Sequence, residues 1–148
     1  SAASDVYKRQ LYGHSLGGTF THYAAFQSDL FENQPFQYYI IGSPAFWSPY
    51  FLESESNPPE YQMEYGYFDR NTSFSKTLYV CGGEQEDADY ASYYGENDST
   101  LEGITHLMGR LKAEGVTTAE CKIYADSNHY AYIPEMFQTF FLQFYRHA

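Results

Sequence analysis

The chain has little cysteine, little positive charge and no long apolar run. Two cysteines in 148 residues, Cys81 and Cys121, exclude a disulfide-rich scaffold and a cysteine-based zinc site. Both lie in strand-like runs and read as buried thiols acting as small hydrophobes; a single disulfide is the other reading, so the redox compartment stays open. Only 8 Lys and Arg stand against 19 Asp and Glu, a formal net charge of −11. Neutralising phosphates takes clustered basic residues, so no nucleic-acid partner is expected. An anionic membrane surface would repel the chain for the same reason, so no membrane partner is expected either. No stretch reaches the roughly 18 consecutive apolar residues of a membrane span.

Rings are abundant. The chain holds 17 Tyr and 12 Phe against a single Trp, which suggests a core and pocket walls built from aromatic faces with hydroxyls at their wet edges. Hydrophobic content of 43% is enough for a core, and the length implies one domain. Residues 1–10, SAASDVYKRQ, carry neither a structural period nor the apolar region of a signal peptide and resemble adapter read-through. Residues 1–8 are expected to lie outside native structure, with 9–148 beginning partway through a larger protein.

Four strands are expected: Arg9–Tyr12, Phe36–Ile41, Thr77–Cys81 and Glu120–Ala125. Their continuous apolar runs suit parallel strands covered on both faces. Helices are expected between them. Leu16–Gln27 sets Leu16, Phe20, Tyr23 and Ala24 on one side. Thr100–Glu114 carries a stripe of Leu101, Ile104, Leu107, Met108 and Leu111, a Ser99/Glu102 capping box and a closing Gly115. The last, Pro134–Tyr145, turns Phe137, Phe140, Phe141 and Phe144 inward. The order β-α-β-(long connection)-β-α-β-α implies an α/β fold with a parallel sheet. The long connection, Ser43–Ser75, is acidic and aromatic and reads as a packed excursion or a lid. Asn71-Thr72-Ser73 and Asn97-Asp98-Ser99 match the glycosylation triplet, a pattern common by chance.

Gly13-His14-Ser15-Leu16-Gly17 is G-x-S-x-G, extended by Gly18, where a strand hands over to a helix. That context is expected to strain Ser15 upward from the sheet as a nucleophile. It also puts the Leu16 N–H at a helix start, aimed at an oxyanion. Gly13 and Gly17 are both expected to keep strand and helix from colliding. Ser15 needs a base. Of five histidines, His14 points away by alternation, and is assigned with Trp47 to substrate contact. His22 and His106 sit within helices and pack or face water; His147 is terminal. His129 follows the last strand on a short loop, at the sheet end where catalytic groups gather. The orienting acid should follow Thr77–Cys81, where Glu84, Glu86, Asp87 and Asp89 all qualify. The chain order Ser15, acid, His129 is that of the α/β-hydrolases.

These residues, with Ser43-Pro44-Ala45-Phe46-Trp47, Gly83-Glu84-Gln85-Glu86 and Asn128-His129 running into Ile133-Pro134, resemble the esterase family of α/β-hydrolases that includes enterochelin and siderophore esterases. The resemblance spans roughly residues 9–146 and implies the C-terminal half of that fold. It implies Glu86 as the acid, a Ser–His dyad being the other arrangement the family allows. It implies cleavage of small-molecule carboxylic esters through an acyl-enzyme, with neither metal nor organic cofactor. The competing class is a non-catalytic binding module with an esterase-like fold. In the complete fold a second oxyanion donor comes from a loop upstream of the present chain. The central strands would also be missing, leaving an open apolar sheet edge, so the piece alone is expected to be poorly soluble and weakly active or inactive.

Overall fold

The computed structural model describes residues 9–48 and 64–145. Residues 1–8, and with them the expectation of non-native sequence there, lie outside the described residues, as do Tyr50, Phe51 and Tyr61 of the long connection and His147. So do the side chains of Phe141 and Phe144, two of the four rings expected to face inward from the last helix.

Four strands form one sheet in the order β1 (Gln10–His14), β2 (Tyr38–Gly42), β3 (Thr77–Gly83) and β4 (Ala119–Tyr124). Every neighbouring pair is parallel, with Gly13 opposite Ile41, Ile41 opposite Val80 and Val80 opposite Cys121. All four carboxyl ends therefore share one edge of the sheet. The helices are α1 (Leu16–Gln27), α5 (Thr100–Ala113) and α6 (Ile133–Tyr145), with single turns α2 (Tyr67–Arg70), α3 (Glu86–Asp89) and α4 (Ala91–Tyr94). The capping box at Ser99 and Glu102 forms as expected, and Gly115 closes α5 with φ 78°.

Because side chains alternate along a strand, each central strand feeds two cores. Tyr39, Ile41, Leu78 and Val80 pack on one side against Ala25 and Phe26 of α1 and Ile104, Leu107 and Leu111 of α5. Ile40, Tyr79 and Cys81 pack on the other against Tyr132, Met136 and Phe140.

Three expectations are corrected. The stripe of α1 facing the sheet is not Leu16, Phe20 and Tyr23, which are 56%, 60% and 41% exposed. Gly18, Thr21, His22, Ala25 and Phe26 are buried instead, because the tight junction with β1 presses the opposite side of the helix inward. Coverage on both faces holds for β2 and β3 but not for β4, which borders the sheet and exposes Glu120 through Ile123. Cys121 is accordingly an exposed free thiol, whereas Cys81 is buried and free, its pKa pushed up to about 12 by burial.

Candidate active site

Four segments meet at the carboxyl edge of the sheet. The first is the β1–α1 junction. A Cβ at Gly13 would lie 1.9 Å from the Gly17 carbonyl oxygen, and one at Gly18 would lie 2.5 Å from that of Gly42, so the backbone approaches there only because both are glycine. Gly17 itself has open space around it, so the expected clearance role belongs to Gly13 and Gly18. Ser15 is forced to φ 62° and ψ −119°, a conformation that costs a non-glycine residue about 1–3 kcal/mol. Its own N–H donates to Gly42 O at 2.9 Å. The first intrahelical bond of α1 is Thr19 N–H to Ser15 O, so the Leu16 N–H precedes the helical ladder.

The second segment, Ser43–Trp47, is wedged behind this junction. Ser43 N–H donates to Cys81 O, and Ala45 N–H is shared between Thr19 Oγ1 at 2.9 Å and Ser15 O at 3.2 Å. Phe46 meets His22 edge-on and Trp47 lies half-buried against Tyr94 and Tyr93.

The third segment follows β3 and distributes the four candidate carboxylates. Glu84 accepts from Asp126 N–H, and Asp87 accepts from Ser99 Oγ and Leu101 N–H at the start of α5. Asp89 is exposed. Glu86 alone is fully buried, and its Oε1 meets His129 Nδ1. Its Oε2 accepts from Gly83 N–H at 2.7 Å and Ser43 O–H at 2.6 Å.

The fourth segment carries His129. Gly83 lets it close in, since a Cβ there would lie 2.2 Å from Asn128 O. Asn128 Oδ1 accepts from the N–H groups of Tyr130 and Ala131, fixing the turn behind the histidine. His14 reaches across from β1: its Nε2–H donates to His129 O at 2.7 Å, and the two rings lie 4.3 Å apart between centroids. Burial holds His14 below the usual imidazole range, so it stays neutral near pH 7 with its proton on Nε2.

Of the residues singled out above, Glu86 and His14 each contact His129, and Ser15 adjoins His14 in the chain. No hydrogen bond joins Ser15 Oγ to His129. Trp47 contacts the α4 tyrosines rather than the histidine ring. Sequence reasoning did not single out Ser43 and Tyr132 individually; their polar side chains gave no signal without the fold. A cavity of about 250 Å³ lies elsewhere, bordered by Glu64, Phe68 and Arg110. Among the described residues, no group of three or more His, Cys, Asp or Glu could hold a metal ion, and no helix is long and apolar enough to cross a membrane.

Neither a family profile nor a curated protein sequence matches the chain. Solved structures do. The siderophore hydrolase EstA from Aspergillus nidulans superimposes with a TM-score of 0.64 at 22% identity, covering 94% of this chain and 48% of that one. This chain shares the α/β fold of about half of that structure. EstB from the same organism gives 0.60 at 21% identity, covering 90% of this chain and 47% of its own. The BES protein from Bacillus cereus gives 0.57 at 23%, covering 88% and 44%. The chain thus spans about half the length of each of these structures.

Proposed function

We propose that this chain carries the catalytic half of a serine esterase. The observation that supports it most is Glu86, fully buried and bonded to His129 at the edge of the sheet from which Ser15 rises in a strained backbone. In the mechanism, His129 takes the Ser15 proton through Nε2 while Glu86 holds Nδ1–H and stabilises the imidazolium. Ser15 attacks an ester carbonyl. The Leu16 N–H bonds the oxyanion, the leaving alcohol takes the proton from His129, and water releases the acyl group by the same steps. The missing Ser15–His129 bond is compatible with this, because catalytic hydrogen bonds in free enzymes often tighten only with substrate in place. Trp47 and His14 contribute to shaping the substrate's surroundings, His14 chiefly by holding the loop of His129.

The fold shared with EstA and EstB, named as siderophore hydrolases, makes an iron-chelator ester the first substrate to try. The net charge of −11 repels free anionic esters, so neutral or metal-complexed esters are favoured. We propose further that an upstream segment completes the fold, pairs with the open edge of β1 and covers Leu16, Phe20 and Tyr23.

A fluorophosphonate probe on the full-length protein tests the reading. Labelling that disappears in Ser15→Ala supports it. An unlabelled full-length protein points to a binding module instead. Robust hydrolysis of p-nitrophenyl acetate by the 148-residue chain alone would overturn the need for an upstream half.

A further inference from the structure

We propose that Ser43 and Tyr132 are positioning residues that lock the Glu86 carboxylate against rotation and so aim it at His129; this rests on the esterase reading above. A fully buried carboxylate is costly unless its lone pairs are filled. Oε1 serves His129, which leaves Oε2 to be held by others. Two donors converge on it, Gly83 N–H at 2.7 Å and Ser43 O–H at 2.6 Å.

The direction of the proton chain is set by chemistry. An ionised carboxylate only accepts, so the single Ser43 proton goes to Glu86. The Ser43 oxygen is then free to accept, and Tyr132 OH stands 2.6 Å away as its donor. Burial pushes the Tyr132 phenol up from its ordinary value, so it keeps the proton that it donates. The chain Tyr132 to Ser43 to Glu86 to His129 joins the ends of β2, β3 and β4 to the start of α6.

Backbone geometry adds an independent argument. Ser43 has φ 42°, a left-handed conformation that glycine adopts without strain. Serine at this position carries strain that glycine would not, and what it adds is the hydroxyl bonded to Glu86. Removing that hydroxyl leaves Oε2 with one donor and lets the carboxylate swing about its Cγ–Cδ bond.

The test uses Ser43→Gly, which removes the hydroxyl while relieving the backbone, and Tyr132→Phe. Proton NMR of the full-length protein should show a strongly downfield Nδ1–H resonance from the His129–Glu86 bond, absent in His129→Gln. That resonance should move upfield or broaden away in Ser43→Gly, and move less in Tyr132→Phe. Where the protein hydrolyses an ester, Ser43→Gly should lower kcat about 10- to 100-fold with KM within about twofold. Added to Glu86→Gln, it should lower kcat no further. An unchanged resonance together with wild-type kcat in Ser43→Gly would overturn the assignment. So would losses that simply multiply in the double variant, since those mark a general packing role. A wild-type protein that hydrolyses nothing, yet whose resonance responds to Ser43→Gly, would keep the positioning role and sink the esterase reading.

Discussion

Among the described residues two histidine–glutamate pairs are buried, and they differ in what surrounds the far nitrogen. In one, His129 Nδ1 meets Glu86, while the His129 side chain stays 11% exposed on a loop at the sheet edge. In the other, His22 Nε2 lies 3.3 Å from Glu64 Oε1, and His22 is 0% exposed within α1. Arg110 also contacts Glu64, at 3.1 Å, and the remaining nitrogen of His22 is buried with no hydrogen-bond partner among the described residues. In the first pair the far nitrogen belongs to a partly exposed ring at the carboxyl edge of the sheet. The second has its acid neutralised by a cation and its base sealed in the α1–α5 core. A buried carboxylate beside an imidazole is therefore no signature of catalysis by itself. What matters is whether the second nitrogen faces a place that a substrate can reach.

Making the same substitution in both pairs should separate them. Glu86→Gln keeps the volume but presents His129 with an amide, and on the proposed esterase reading kcat of the full-length protein should fall about 10⁴-fold with KM little changed. Equal turnover in variant and wild type would remove Glu86 from the mechanism. Glu64→Gln should leave kcat of the folded protein untouched. It should lower unfolding free energy by about 2 kcal/mol, because Arg110 and His22 lose a charged acceptor; denaturant titration reads this. Arg110 is 24% exposed and can turn to solvent, which keeps that loss below the cost of stranding a sealed charge.

Acid should act through the sealed pair. Burial lowers the His22 pKa from 6.5, outweighing the opposing pull of Glu64, so the unfolded chain binds a proton that the folded one refuses. Stability is then full above pH 6.5 and falls as pH drops below it, by up to about 1.4 kcal/mol per pH unit until the folded value is reached. His14, also lowered by burial, adds a contribution of the same sign. Thermal midpoints between pH 7.5 and 5 should decline less steeply in His22→Gln than in wild type; equal slopes would show that His22 is not the group responsible. The smallest effect belongs to Gly17→Ala. With open space at that Cβ and a helical position, it should stabilise α1 by up to about 1 kcal/mol, whereas Gly13→Ala should prevent proper folding.

Much of the framework was readable along the chain. The boundaries of α1 match their expectation, the strands shift by no more than two residues at either end, and the Ser99 capping box forms where the spacing requires. These features rest on local chemistry: apolar runs, turn residues, caps. The inward side of α1 was misread because it is chosen by how closely β1 and α1 approach, and that approach is made by Gly13 and Gly18 rather than by any apolar stripe. Gly17 was misread for the same reason. Spacing identifies a glycine but not which neighbour it faces.

Sequence by itself determined the alternation of strands and helices, and narrowed the candidate chemistry to a serine after β1, a histidine after β4 and four acids after β3. Parallel strands bring those three loops to one edge whatever the side chains do, which is why their order along the chain was informative. The resemblance already implies Glu86, but which of the four acids meets His129 is visible only in the tertiary structure. Glu84, Asp87 and Asp89 are as polar as Glu86, but one turn of helix carries Glu86 alone under the His129 loop, where Ser43, Gly83 and Tyr132 complete its surroundings. Apart from the local Gly83 bond, these contacts join residues 43 to 89 positions apart, and no local pattern can encode a partner at that distance.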